Sequence, residues 1–261
     1  MNKARKRSPK KSTKSQSKNW GEAILSSLSL LVFVGAVVIV SQLLIGIIML
    51  AVLGNAKFNQ PVWTAIYAAS SYILALVIIV ITKAKKITGK KTNTTREELG
   101  LKSTPTWTDI GLAPVGFLLY IVLAGLITAL FNLFSWFDIN QAQNVGFTPF
   151  IVGMDRMIAF FTLVVLAPIA EEVIFRGWLY GKLREKLSKD LSDKLSLYIS
   201  IFLVSLLFGL IHMQWNVGVN VFALSIVLCG LREITGTIYA GILLHVIKNG
   251  VAFYLLYVAM I

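Results

Sequence analysis

Seven long apolar runs, separated by short polar connections, constrain this chain more than any other feature of its sequence. An α-helix needs about 20 consecutive apolar residues to cross the hydrocarbon core of a bilayer. The chain is 56% hydrophobic and only 14% charged, whereas a soluble domain carries about 25% charged residues. We therefore expect an all-α, polytopic membrane protein with about seven (six to eight) transmembrane helices. The expected spans are residues 23–53, 62–82, 108–136, 155–181, 195–215, 217–231 and 234–261.

The basic residues predict an orientation in the membrane. The net charge is +13, and the Lys and Arg residues concentrate in 3–18, 83–102 and 182–194. Such clusters at alternate connections are typical of cytoplasmic loops, because positively charged loops stay on that side. With seven spans, the N-terminus is predicted to be cytoplasmic and the C-terminus to lie on the opposite side. Contact with the lipid bilayer accounts for the charge, so no nucleic-acid partner is expected.

The chain is predicted to have three parts. Residues 1–19 are rich in Lys, Arg and Ser, and we expect them to form a disordered basic tail in the cytoplasm. Residues 20–154 hold the leading transmembrane helices and the basic cytoplasmic loop 83–102. Residues 155–261 hold the remaining spans and are expected to form the core of a helical bundle.

Three local features carry further expectations. Thr108, followed by Asp109, is expected to cap the third span, because a threonine side chain can accept a hydrogen bond from a free backbone N–H of the first turn. The run 217–231 is short for a full crossing, so a re-entrant segment is the alternative there. Aromatic residues are enriched at membrane interfaces, and we expect this position for Trp178, Tyr180 and Trp215.

Two adjacent glutamates, Glu171 and Glu172, lie inside the fourth apolar run. A charged side chain at the bilayer centre costs at least about 2.5–3.5 kcal/mol on insertion scales. The other acidic residues lie at span ends or in polar connections. Arg176 follows Glu172 by four positions, so an ion pair along the helix is expected to offset part of this cost. Pro168, one turn before Glu171, is expected to kink the helix and admit water.

The only two histidines, His212 and His245, are both predicted to lie well inside spans. Phe208 precedes the first by four positions and Asn249 follows the second by four, so each pair shares a helix face. A carboxylate and a histidine that share a water can deprotonate it and later protonate a leaving amine. A second histidine with an amide can stabilise an oxyanion by donating hydrogen bonds. Each group alone is also consistent with helix packing, but together they indicate hydrolysis.

Three ordered motifs resemble those of the CAAX-protease and bacteriocin-processing (CPBP or Abi) family, which is also described as type II CAAX prenyl endopeptidase-like. They are Glu171-Glu172-x-x-x-Arg176, Phe208-x-x-x-His212 and His245-x-x-x-Asn249. The resemblance implies an all-helical intramembrane endopeptidase. It also implies that Glu171 and His212 activate the attacking water, while His245 and Asn249 form the oxyanion site. The other three motif residues, Glu172, Arg176 and Phe208, are then expected to support the reacting groups.

Two mechanisms remain open at this point. The preferred one requires no cofactor. The alternative is a metalloprotease, because Glu171, His212 and His245 are sufficient ligands for a zinc ion. The sequence has no His-Glu-x-x-His motif to favour the metal, and the single Cys229 excludes a zinc site built on several cysteines.

The resemblance further implies a substrate that is a membrane-associated peptide or a membrane protein. The Lys- and Ser-rich tail and small size are typical of a bacterial protein in the plasma membrane, where we expect a role in bacteriocin processing or self-immunity. One alternative is a non-catalytic membrane immunity or scaffold protein. Another is a proton-relaying transporter, which the almost wholly apolar first three spans disfavour. No oligomeric state is predicted.

Overall fold

The computed structural model describes residues 20–83, 95–102, 104–141, 146–148 and 150–259. The predicted tail 1–19 and most of the predicted loop 83–102 lie outside the described residues. Within the described part, seven helices are long and apolar enough to cross a membrane, and no strand is present. They are α1 (Trp20–Phe58), α2 (Pro61–Lys83), α3 (Trp107–Phe131), α4 (Gly153–Asp190), α5 (Asp193–Leu210), α6 (Trp215–Thr235) and α7 (Tyr239–Ala259). The expected all-α, polytopic architecture is confirmed.

The sixth span is a full-length helix. It has 21 residues, so it is long enough to cross the bilayer and does not need a re-entrant path. The predicted run 217–231 is shorter than this helix, because Arg232 and Glu233 extend it. Both residues belong to α6, which ends at Gly236 in the left-handed conformation. Glycine adopts that conformation without steric cost and therefore commonly ends helices.

The third span begins and ends earlier than predicted. Thr106, not Thr108, is the N-cap of α3, because its hydroxyl accepts a hydrogen bond from the backbone N–H of Asp109. The Asp109 carboxylate accepts in return from the backbone N–H of Thr106, which completes a reciprocal capping box. The helix stops at Phe131 rather than near Trp136, which lies in the following turns and stacks edge-on against Phe131.

The fifth span is shorter than predicted, and His212 does not lie inside a helix. Helix α5 ends at Leu210, and the chain turns through His212 before α6 begins at Trp215. Met213 has a φ of 55°, which is unusual for a residue with a side chain. His212 is therefore presented by a turn between two spans.

The predicted basic loop 182–194 is largely helical. Helix α4 continues to Asp190, so only Leu191 and Ser192 connect it to α5. The helix persists because Leu183 and Leu187 are buried on one face. On the other faces, Arg184 forms ion pairs with Asp193 and Glu233.

Helix α4 contains two π-helical segments, one before the acidic pair and one that begins at Glu172. Phe161–Leu166 and Glu172–Tyr180 are π-helical, and only the short segment Ala167–Glu171 between them is α-helical. Such wider turns occur frequently at functional sites. Pro168 opens the α-helical segment, where its missing N–H is tolerated because the preceding turn is already widened. The kink and the entry of water expected at Pro168 stay predictions.

Three apolar clusters surround the middle of α4. The first joins α1, α2, α5 and α6 around Ile174 and Leu179, the second joins α3, α6 and α7, and the third joins α4 to α7 through Val164 and Phe253. Trp178 and Tyr180 are 3% and 2% exposed. Both side chains therefore pack inside the protein and do not face lipid, and their expected interfacial position stays a prediction. Trp215 remains 59% exposed.

The segment between α2 and α3 packs against α4 through a glycine. A Cβ atom added to Gly177 would lie 2.8 Å from the carbonyl oxygen of Leu99, so only glycine allows this approach. The backbone oxygen of Gly100 then accepts a hydrogen bond from the N–H of Ile238, just before α7. The chain before α3 is thereby joined to two of the helices that carry the acidic and histidine motifs.

Candidate active site

The four predicted reacting residues line one cavity. Glu171, His212, His245 and Asn249 border a space of about 250 Å³. Glu171 comes from the short α-helical segment of α4, His212 from the α5–α6 turn and the other two from successive turns of α7. Apolar side chains complete the walls, including Leu163, Val221, Phe253 and Leu256. The structure thus brings together residues that are 78 positions apart in sequence, from 171 to 249.

The buried Glu172 carboxylate contacts two side chains, those of Arg176 and His245. Its Oε1 atom lies 2.9 Å from Nη1 of Arg176 and 3.0 Å from Nδ1 of His245. The Glu172 and Arg176 side chains are both 0% exposed, so the expected ion pair is present and excluded from solvent. A carboxylate only accepts hydrogen bonds, so His245 must carry its proton on Nδ1. Glu172 therefore fixes both the orientation of this imidazole and the position of one of its protons.

Phe208 packs between the charged groups and the histidines. The guanidinium carbon of Arg176 lies 4.3 Å from the centre of the Phe208 ring, a cation–π contact. The same ring meets His212 edge-on at a centroid distance of 5.0 Å and His245 at 6.1 Å. The supporting position expected for Phe208 is consistent with these contacts, since one fully buried ring touches three motif residues.

The His212 ring has a defined tautomer. Its Nδ1 atom lies 2.7 Å from the backbone oxygen of Phe208. Because a carbonyl oxygen only accepts, Nδ1 carries the proton and Nε2 keeps its lone pair when the ring is neutral. Burial lowers the pKa of His212, and the nearby Glu171 carboxylate opposes this effect. The neutral ring can therefore accept a proton or a hydrogen bond through Nε2.

Asn249 is oriented by the π-helical part of α4. Its Nδ2 atom donates to the backbone oxygen of Leu163 over 2.8 Å. That bond uses one of the two amide hydrogens and leaves the second for another acceptor. The widened turn at Phe161–Leu166 thus helps to fix an amide that borders the cavity.

Tyr72 of α2 was not singled out by the sequence. Its hydroxyl donates to Oε1 of Glu171 over 2.6 Å, which is in the range of a short, charge-assisted hydrogen bond. The other carboxylate oxygen, Oε2, lies 3.7 Å from Nε2 of His245. A tyrosine in an apolar span is not unusual enough to indicate a functional site from sequence, and the carboxylate that it contacts is 99 residues away. The leading helices therefore contribute directly to the site.

Lys248 is a second residue that the sequence motifs omit. It lies between His245 and Asn249 in α7, borders the same cavity and interacts electrostatically with Glu171. Here a signal was available, because a lysine within a transmembrane helix is as unusual as a glutamate.

Zinc in a tetrahedral site needs three or four protein ligands around one point. Among the described residues, no group of three or more His, Cys, Asp or Glu side chains is arranged to hold one metal ion. Glu171, His212 and His245 line the same cavity but do not form such a group. The zinc alternative stays a prediction, and no step below uses a metal.

These features define a polytopic helical protein with a polar, partly enclosed site inside its transmembrane bundle. Residues 153–251 match the family model described as Rce1-like, type II CAAX prenyl endopeptidase Rce1-like. This region is similar to that family, which confirms the resemblance drawn from the three motifs. No curated protein and no solved structure gave a match.

Proposed function

We propose that this chain is an intramembrane endopeptidase that cleaves a peptide bond of a membrane-associated peptide or protein, with a water activated by Glu171 and His212. The observation that carries the proposal is that four motif residues line one cavity. They are Glu171, His212, His245 and Asn249. Their side chains supply a base, a second proton acceptor and two donors, which are the groups that amide hydrolysis requires.

The first step is activation of water. The distance of 3.7 Å between Oε2 of Glu171 and Nε2 of His245 is too long for a direct hydrogen bond, and a water commonly bridges polar groups at such separations. Glu171 takes one proton from this water, and the hydroxide attacks the substrate carbonyl carbon. Tyr72 keeps the carboxylate oriented, and neutral His212 accepts the second hydrogen of the water in a hydrogen bond.

The second step is collapse of the tetrahedral intermediate. Its oxyanion accepts hydrogen bonds from Asn249 Nδ2 and from His245 Nε2. Because Nδ1 of His245 already donates to Glu172, donation from Nε2 requires the doubly protonated ring. The carbon–nitrogen bond then breaks as the carbonyl re-forms, and the proton held by Glu171 passes to the leaving amine. The products are a new carboxyl terminus and a new amine.

The proposal includes a bacterial plasma membrane and a cytoplasmic N-terminus. The supporting observation is the concentration of basic residues in 3–18, 83–102 and 182–194, as expected for cytoplasmic segments. Within such a cell the substrate would be a small membrane peptide or membrane protein, and processing of a bacteriocin or self-immunity is the corresponding role.

The test is cleavage of a quenched peptide library by the full-length protein in lipid nanodiscs. Wild type is compared with Glu171→Gln and His245→Ala, each with and without a strong chelator. Glu185→Gln is the matched control, because this carboxylate lies at the surface end of α4 in pairs with two lysines. We expect turnover by wild type and by the control, loss of about 10²-fold or more in the two site variants, and no effect of the chelator.

Other outcomes would redirect the proposal. Turnover that the chelator removes and zinc restores would indicate the metalloprotease alternative. If no protein cleaves any peptide, although each is folded by size-exclusion chromatography, the non-catalytic immunity or scaffold function is favoured. The transporter alternative is tested by measuring proton flux into liposomes that contain the same protein.

A further inference from the structure

Lys248 is a cation in the middle of a transmembrane helix. It follows the first residue of α7, Tyr239, by nine positions, which corresponds to about 13 Å along the helix axis. Lysines near helix ends extend to the membrane interface, but this one lies centrally in a 21-residue span. Its side chain is partly buried and borders the cavity that holds the motif residues. A charge at this depth requires a stabilising partner.

No carboxylate in the described part of the chain forms an ion pair with Lys248. Glu172 is already bound by Arg176 and His245 through the same oxygen. Glu171 acts on Lys248 through its charge, but its Oε1 accepts from Tyr72 and its Oε2 faces His245. Oε2 of Glu172 is buried without a hydrogen-bond partner in the described part of the chain, so it does not reach Lys248 either. The lysine therefore borders the cavity without an acidic partner among the described residues.

The position of Lys248 relative to the reacting groups fixes where an anion would bind. It lies three residues after His245 and one before Asn249, so all three are within one turn of α7. A peptide whose carbonyl oxygen reaches the two proposed oxyanion donors would therefore have its neighbouring residues beside Lys248.

We infer that Lys248 binds a carboxylate of the substrate, so that the site selects peptides with a negative charge close to the scissile bond. The inference rests on the proposed peptidase function and adds a substrate class to it. Two sources supply this chemistry: the carboxyl terminus of a short peptide and an acidic side chain. The ammonium group makes a charge-assisted hydrogen bond to either one inside a cavity of low polarity.

The experiment uses matched peptides derived from any library member that wild type cleaves. In one pair the C-terminal carboxylate is replaced by an amide, and in the other an internal Glu is replaced by Gln. Both pairs are assayed with wild type, Lys248→Met, Lys248→Arg and Lys189→Met. Lys189 is the control because it is an exposed lysine at the end of α4, 67% accessible. Methionine preserves an unbranched chain that is compatible with lipid.

We expect wild type and the control to prefer the carboxylate form of one pair by about tenfold or more in kcat/KM, which is the scale of a charge-assisted hydrogen bond. Lys248→Met should lose this preference, so that its kcat/KM is the same for the charged and the neutral member of the pair, and Lys248→Arg should retain the preference. The pair that shows the preference identifies the source of the carboxylate.

Two results would overturn the inference. In one, wild type treats both members of each pair alike. In the other, Lys248→Met slows the charged and neutral peptides equally, which would make Lys248 a counterion of Glu171. If wild type cleaves no peptide, the proposed function itself fails. In that case the pairs are built on a library peptide that binds wild type, and their fluorescent versions are titrated with wild type and Lys248→Met. The same carboxylate preference is expected in the dissociation constants of wild type, and its absence there would overturn the inference.

Discussion

The ion pair between Glu172 and Arg176 leads to a prediction that a double variant recovers thermal stability but not peptidase activity. Glu172→Met removes the anion from a pair that is 0% exposed on both sides. Nε and Nη2 of Arg176 have no hydrogen-bond partner in the described part of the chain, so the buried guanidinium keeps only its cation–π contact with the Phe208 ring. Breaking a buried pair in this way costs about 3–5 kcal/mol, which corresponds to a lower Tm by roughly 6–20 °C.

The double variant Glu172→Met, Arg176→Met removes both charges. Replacement of a complete buried ion pair by apolar residues is often neutral or stabilising, so the Tm should return close to that of wild type. Activity should not return, because Nδ1 of His245 has lost the acceptor at 3.0 Å that orients its ring. Thermal unfolding in one detergent at one scan rate and peptide turnover measured well below each Tm are the two assays.

Two results would refute this reasoning. Recovery of turnover in the double variant would show that Glu172 acts only by neutralising Arg176 and does not orient His245. An unchanged Tm in Glu172→Met would show that the buried pair contributes nothing to stability. Arg176→Met alone is the complementary control, because it keeps the contact between Glu172 and His245 while leaving the carboxylate unpaired.

Three further predictions concern single positions. Tyr72→Phe keeps the ring but removes the hydroxyl that donates to Glu171, so kcat should fall about tenfold with little change in KM. Because burial lowers the pKa of His212, the ring should stay neutral until the pH falls below its ordinary pKa of 6.5, and the acid limb of the pH–rate profile should lie below that value. Gly177→Ala should displace Leu99, whose oxygen would lie 2.8 Å from the new Cβ, and limited proteolysis should then cut more readily near Leu99.

Each of these has a control or a contradicting outcome. Gly181→Ala is the match for Gly177→Ala, because its Cβ would lie 3.4 Å from the oxygen of Glu98 and should be tolerated. An acid limb centred above pH 6.5 would contradict the state assigned to His212. A rise in KM with unchanged kcat in Tyr72→Phe would show that the tyrosine binds substrate and does not orient Glu171.

The spans and the motif residues could be predicted from sequence because each is a local signal. Apolar length is dictated by the bilayer, and a Glu or His inside an apolar run needs a reason to be there. Helix ends were less predictable because they depend on side-chain competition. Thr106 and Asp109 form a capping box that Thr108 cannot form from within the helix.

The contribution of Tyr72 could not have been predicted, because its meaning depends on a contact across 99 residues. The burial of Trp178 and Tyr180 likewise follows from the π-helical winding of Glu172–Tyr180, which rotates side chains away from the positions that a regular helix predicts. The predicted mechanism and the role of each motif residue stay predictions until the variants are assayed.

The hydrogen bond from Tyr72 to Glu171 also bears on how the chain is assembled. A chain is synthesised from its N-terminus, so α2 enters the membrane before α4 is made. The carboxylate that arrives with α4 therefore finds a donor already present in the bilayer. A fragment limited to residues 153–251 would lack this donor and the Leu99 contact at Gly177. The part of the chain made before α4 thus provides two of the contacts that position the segment with the acids.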